Sequence, residues 1–349
     1  MTGIMAKREK PKFDYALCLR ELKSDGPHRL YLLCGEEDYL RRSFLTELKK
    51  LCVGDAEEGF NYRRLNGNPE PRQLSEAVES VPFFSERTLV EVRDFDINLC
   101  RDSQLDQLRG ILSDIPEYCT VVLLTPTGRE PDGRLASVKF VKKAGKYIEF
   151  AVQDQAALSG WIGRRFAALG KNIGRREAEQ LIFSAGPLMN RLVSEIEKIS
   201  AAVQGDTVTA RDIDELVERL PEAEVFDFTD QLSQGRFDDA ARGLGELIRC
   251  REEPVKLLAL IGAQMRRVYA VKLAQENGAG RELVMELTGV RFDFILQKLR
   301  ESAKRFTVEQ LRDIVELCAV YDYKMKSTGV DGNELLRELF AAMAERVQC

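Results

Sequence analysis

LYLLCGEEDYLRRS, residues 30–43, decides the fold. From Leu30 to Cys34 the residues are apolar without alternation, so both faces of the segment are buried, as in a strand of a parallel sheet. A glycine follows, and then Phe44, Leu45, Leu48, Leu51 and Cys52 recur at helical spacing. Strand, glycine, helix is how an α/β unit opens. In nucleotide-binding proteins that joining loop cradles the phosphates, and a GxxxxGK[ST] loop does so with glycine amides and a lysine. Here the loop reads GEEDYLRRS, with one glycine, three acidic residues and no lysine. Carboxylates in that position repel phosphate.

The alternation continues outward. FNYRRLN (60–66) reads as a second strand, and RQLSEAVES as a helix with Leu74, Ala77, Val78 and Val81 on one stripe. TLVEV (88–92) is a third strand and SQLDQLRGILS a helix. TVVLLT (120–125), apolar on both faces, belongs at the centre of the sheet, and KYIEF (146–150) closes the series. Such alternation predicts a parallel α/β sheet covered by helices. TVVLLT ends in Thr125 and Pro126, where a magnesium-binding acidic pair would stand in an ATPase. Gly145-Lys146 and Gly170-Lys171 lack the rest of a phosphate motif, and GxGxxG is absent, so no cofactor is expected. Beyond residue 150 strand signals nearly vanish. Residues 151–220 predict three or four helices, one through Leu158, Trp161, Ile162, Phe166 and Leu169, another through Leu192, Val193, Ile196 and Ile199. Thr209 with Asp212 fits a capping box. Pro221 breaks the pattern, and six or seven further helices follow. Three domains are expected: α/β over 1–150, small and helical over 151–220, larger and helical over 221–349.

Composition agrees with a folded chain of two or three domains: 349 residues, 44% hydrophobic and 31% charged. The net charge of −5 carries no global signature of a nucleic-acid binder, so any DNA contact is local. No stretch approaches the roughly 18–20 apolar residues of a membrane span. The opening MTGIMAKREKPKFDYA has no apolar core of a secretory signal. Eight scattered cysteines without a CxxC pair read as reduced, mostly buried thiols of a cytoplasmic protein. A histidine-based metal site or a Ser-His-Asp triad has only His28 to draw on, so neither catalytic nor metal-binding residues are expected. Glu36-Glu37 and Glu252-Glu253 read as solvated surface. Lys139, Lys142, Lys143 and Lys146 read as an exposed helix and strand edge, with a phosphate contact as the alternative.

Two stretches remain. In VPFFSERTLVEV (81–92), Pro82 helps end the preceding helix, and two large aromatics then sit at a bend beside Ser85, Glu86 and Arg87. They either plug the core from a loop or meet another protein. In AVYDYKMKS, Tyr323 stands beside Lys324 and Lys326. An aromatic among lysines can stack on a base while the ammonium groups meet phosphates. The alternative is a partly buried tyrosine at a helix end.

LYLLCGEEDYLRRS, SVPFFSERTLVEV and TVVLLT resemble, in that order, the N-terminal domain of the delta-subunit family of bacterial DNA polymerase III, the clamp-opening subunits of the replicative clamp loader. GPLMNRLVSEIEKIS resembles the family's lid-domain helix. LPEAEVFDFTDQL, EPVKLLALIGAQMRRVYAVK and AVYDYKMKS resemble its helical collar. The extra residues before Phe13 and the terminal Cys349 are minor departures. The resemblance implies an AAA+-like α/β domain without an ATP site, followed by all-α lid and collar domains. It implies a chain that is non-catalytic by itself, although part of a DNA polymerase holoenzyme, working in the cytoplasm at the nucleoid-associated replisome. The implied partners are the beta sliding clamp, tau/gamma-type motor subunits, a delta-prime subunit and primed DNA. Carried over by position, Phe83 is the apolar plug for the clamp, with Phe84 and Pro82 beside it and Val81 at the edge. Tyr323, Lys324 and Lys326 fall where DNA would pass. Two other readings stay open: an active ATPase motor of the same superfamily, which the missing lysine opposes, and a helical scaffold or adaptor unrelated to replication, which would not bind a clamp.

Overall fold

Leu30–Cys34 forms strand β1 with all five side chains buried. The computed structural model describes residues 13–55, 58–249, 253–290 and 293–348; the segment before Phe13, Cys250, Glu252 and Cys349 lie outside the described residues. The chain divides into two compact units. The first runs to Asp154 and includes Leu188–Asn190; the second holds Gln155–Pro187 and everything from Arg191.

The first unit starts with α1 (Tyr15–Asp25), β1, α2 (Asp38–Val53), β2 (Tyr62–Asn66), α3 (Pro71–Val78) and β3 (Thr88–Arg93). It continues through α4 (Asp102–Ser113), β4 (Cys119–Leu124), α5 (Ala136–Ala144) and β5 (Lys146–Glu149). The five strands are all parallel in the order β2-β3-β4-β1-β5, with Leu30 opposite Val121 and Tyr31 opposite Lys146. β4 is the middle strand and its six residues are buried, as the unbroken apolar run TVVLLT predicts. Leu30, Leu32, Val90, Val121 and Leu123 of the strands pack with Leu74, Val78, Leu108, Leu112 and Val141 of the helices in one core. The parallel α/β arrangement expected from alternation is therefore present.

Two local expectations are corrected. FNYRRLN overshoots its strand: β2 starts at Tyr62, and Phe60 and Asn61 form a bend before it. The stripe of α3 stops at Val78, so Val81 lies beyond the helix and is 72% exposed. Six cysteines are described, all free, and five of them are buried. Burial pushes the Cys34, Cys100, Cys119 and Cys318 thiols up to about 11, which keeps them protonated and unreactive.

The second unit is helical. It contains α6 (Gln155–Ala168), β6 (Asn172–Ile173), α7 (Arg175–Ala185), α8 (Met189–Ala202) from Arg191 onward, β7 (Thr207–Val208) and α9 (Ala210–Leu216). Among the described residues seven helices follow: α10 (Pro221–Ser233), α11 (Phe237–Arg249), α12 (Pro254–Glu276), α13 (Arg281–Thr288), α14 (Asp293–Lys304), α15 (Val308–Ser327) and α16 (Gly332–Gln348). Prolines at the first turn start α10 and α12, where a missing N–H removes no helical bond. Thr209 and Asp212 form the expected capping box of α9, and Thr307 with Gln310 forms another at α15. The two-residue strands β6 and β7 pair with each other, too short to leave a period in the sequence. The 23-residue α12 lies among α10, α13, α14, α15 and α16, so its buried residues are spread around much of its circumference.

Candidate functional site

The loop after β1 takes its shape from packing. Gly35 has φ +108°, and a Cβ there would lie 2.3 Å from the carbonyl oxygen of Phe150. Only glycine lets the backbone pass so closely. Glu37, expected as solvated surface, is instead 1% exposed because it caps α2. Its carboxylate accepts hydrogen bonds from the backbone N–H groups of Tyr39 (3.3 Å) and Met189 (3.2 Å). Burial raises its pKa above the ordinary carboxyl value. Asp38 in the first turn pairs with Arg41 and Arg42, each at 2.6 Å. Burial pushes Asp38 up, but the two guanidiniums outweigh it and hold the carboxyl below its ordinary value. Arg41 also donates to the Thr125 carbonyl (2.8 Å) and the Thr127 hydroxyl (3.0 Å). The helix N-terminus that attracts phosphate elsewhere is thus occupied by the chain's own carboxylates. A cavity of about 300 Å³ adjoins it, and its three arginines, Arg41, Arg42 and Arg93, face three carboxylates, Asp38, Glu91 and Asp94. Those charges balance. Among the described residues no cluster of His, Cys, Asp and Glu could hold a metal ion.

The second place is the other end of the sheet, where the chain enters β3. Val81, Phe83 and Phe84 are 72%, 55% and 97% exposed, and Pro82 is half-buried. Neither phenylalanine enters the α/β core. Their rings meet edge to face at 4.4 Å, and Phe83 also lies 5.4 Å from Phe60, itself exposed. Asn61 ties the tip down: its side chain donates to the Phe83 carbonyl (2.6 Å) and accepts from the Phe83 N–H (2.7 Å). Phe84 has φ +51°, a left-handed conformation that bulky side chains rarely adopt. The sequence places Val81 to Phe84 together, and the structure adds Phe60 and Asn61. Those two were hidden because Phe60 keeps the alternating phase of Tyr62 and so extends the apparent strand.

The third place is α15. Tyr323 is 73% exposed. The lysines beside it turn elsewhere: the Lys324 ammonium lies 4.5 Å from the Tyr321 ring centroid, and Lys326 pairs with Asp322 at 2.7 Å. The structure exposes the tyrosine without grouping the two lysines around it. In the other basic cluster, Lys142 lies over the Tyr147 ring at 4.0 Å and Lys146 pairs with Glu21 at 2.8 Å.

Comparison with known proteins gives a consistent result. Residues 31–151 match the family model described as "DNA polymerase III, delta subunit", and residues 222–343 match "DNA polymerase III delta subunit, C-terminal domain". The chain is 26% identical to DNA polymerase III subunit delta of Bacillus subtilis, over 92% of this chain and 94% of that one. It is 23% identical to the probable DNA polymerase III subunit delta of Aquifex aeolicus, over 91% and 92% of the two chains. The solved structure of the Bacillus subtilis DNA clamp loader delta protein is similar in fold, with a TM-score of 0.53 at 24% identity, covering 95% of this chain and 100% of that one.

Proposed function

The chain belongs to the delta-subunit family of bacterial DNA polymerase III, and from that premise we propose that it binds the beta sliding clamp and opens its ring for loading onto primed DNA. The observation that carries this reading is the ring cluster before β3, above all Phe84, 97% exposed and held in a conformation that keeps it out of the core. A soluble chain gains nothing by displaying two contacting aromatics unless something else buries them. Phe83 and Phe84 fit an apolar pocket, with Pro82 beside them and Val81 at the rim. Once docked, the chain opens the ring by population shift: it binds better to an open clamp than to a closed one, and that differential affinity holds the ring open. No phosphate chemistry on this subunit is required, in keeping with Glu37 and Asp38 at the start of α2.

The proposed division of labour follows the three stretches of sequence. Residues 1–150 dock on the clamp, 151–220 form the lid, and 221–349 form the collar that joins tau/gamma-type motor subunits and a delta-prime subunit. Leu283 and Leu287 of α13 and Val320 of α15 are exposed, and they supply apolar surface that the unit's own core does not cover. Tyr323 is the proposed DNA contact. The working place is the cytoplasmic replisome; among the described residues no helix is long and apolar enough to cross a membrane. The test is direct: the purified full-length chain is passed over immobilised beta clamp from the same organism. Saturable binding without nucleotide is expected. No binding would return the chain to the reading of a helical adaptor unrelated to replication.

A further inference from the structure

The exposed rings are displayed by a tie that the chain makes to itself. Asn61 is fixed through its main chain, because its carbonyl accepts from the Leu89 N–H of β3 at 2.8 Å. Its side-chain amide then pairs with both the N–H and the C=O of Phe83. An asparagine amide carries one acceptor and one NH₂ donor in the geometry of a peptide. It therefore does for Phe83 what a neighbouring strand would do, and the tip is tied to the sheet edge without a strand being there. On the far side of Phe84, the Ser85 hydroxyl donates to the Arg87 carbonyl (3.1 Å) and accepts from the Arg87 N–H (3.4 Å). Phe84, in its left-handed conformation, lies between these two ties. A sparsely populated conformation of a bulky residue persists only where its surroundings fix it. Phe60, covalently next to Asn61, is carried to within 5.4 Å of the Phe83 ring by the same arrangement.

We infer that Asn61 is a positioning residue that holds the Phe83-Phe84 tip ready for docking, and that Phe60 is a third ring of the contact surface. The inference rests on the clamp-binding reading. It fits a partner pocket that takes adjacent aromatics and has an apolar shoulder beside it. In the free chain without the tie, the tip samples other shapes, and apparent affinity falls by the fraction of chains that remain competent.

The test uses the full-length chain and the beta clamp of the same organism, with association and dissociation rates measured separately, and hydrogen exchange read at the Phe83 amide. Asn61→Ala removes both hydrogen bonds. Each is a neutral bond equivalent to a factor of roughly two to ten, so Kd is expected to rise about tenfold, through slower association. The Phe83 amide loses its protection while the melting temperature stays within a few degrees. Asn61→Asp, nearly isosteric, keeps the acceptor for the Phe83 N–H but turns a carboxylate oxygen toward the Phe83 carbonyl, so the tie breaks on that side and a rise in Kd is again expected; this variant carries the test if the alanine form folds poorly. Phe60→Ala is expected to raise Kd several-fold through faster dissociation, without changing exchange at Phe83. Wild-type affinity and unchanged Phe83 exchange in both Asn61 variants would overturn the tie, and unaltered dissociation in Phe60→Ala would remove the third ring. If the wild-type chain does not bind the clamp, the clamp reading fails and the docking role fails with it; unchanged variants beside a binding wild type sink only the inference.

Discussion

Replacing Phe83 and Phe84 together with alanine separates a docking surface from a core plug. Phe84 is 97% exposed, so its truncation removes almost no buried area. Phe83 is 55% exposed, and its ring meets those of Phe84 (4.4 Å) and Phe60 (5.4 Å), which are both exposed. Full burial of such a side chain contributes about 1.5–3 kcal/mol, so the buried fraction of Phe83 contributes roughly 1 kcal/mol. In a unit of this size that corresponds to a melting shift of about 2–4 °C. Docking responds on a different scale. Aromatic anchors at the centre of an interface typically contribute about 2–4 kcal/mol each, and neighbours are not additive. Taking only about 2 kcal/mol for the pair, affinity falls roughly thirtyfold. Titration calorimetry against the clamp and a thermal melt of the same preparation give both numbers. A melting drop of ten degrees or more, or clamp affinity within twofold of wild type, would show that the pair belongs to the core.

The isolated chain is expected to show no saturable ATP binding, because Glu37 and Asp38 occupy the helix start that a phosphate would need; micromolar binding in a fluorescence titration, abolished by changes in residues 35–43, would contradict this. Asp38→Asn is expected to be destabilising in a pH-dependent way. The native carboxyl titrates below its ordinary value of 3.8, so its contribution is present above that pH and fades as pH falls through the native value; a melting-temperature gap that does not narrow in acid would count against the Arg41 and Arg42 pairing. A fragment lacking residues 221–349 should bind the clamp but fail to co-elute with motor subunits on gel filtration, and normal assembly would remove the collar assignment. Tyr323→Ala should slow clamp loading on primed DNA with clamp affinity intact; equal loading rates across a salt series would dismiss the DNA contact.

The α/β unit was legible because burial on both faces leaves an unbroken apolar run, and Leu30–Cys34 and TVVLLT carry it. The start of α9 was legible because the Thr209 side chain caps it. The docking tip was half legible. Pro82 and the adjacent phenylalanines marked a bend, but Asn61 acts 22 residues away in sequence, and a side-chain tie across two loops leaves no period to detect. Phe60 was concealed by falling on the phase of the strand it precedes. Val81 shares the helical spacing of Leu74 and Val78, which conceals that the helix ends at Val78. The lysines near Tyr323 looked like a cluster in one dimension. In three dimensions the helical turn hands Lys324 to Tyr321 and Lys326 to Asp322.

Clamp opening is tested most directly by unloading. A fluorescent beta clamp is first loaded on nicked circular DNA, the loader is removed, and this chain alone is added without nucleotide while clamp release is followed over time. Release is expected to accelerate in proportion to the chain added, and the Phe83→Ala, Phe84→Ala double variant is expected to lose the effect. A clamp lifetime on DNA that stays the same at saturating concentrations of the wild-type chain would contradict it.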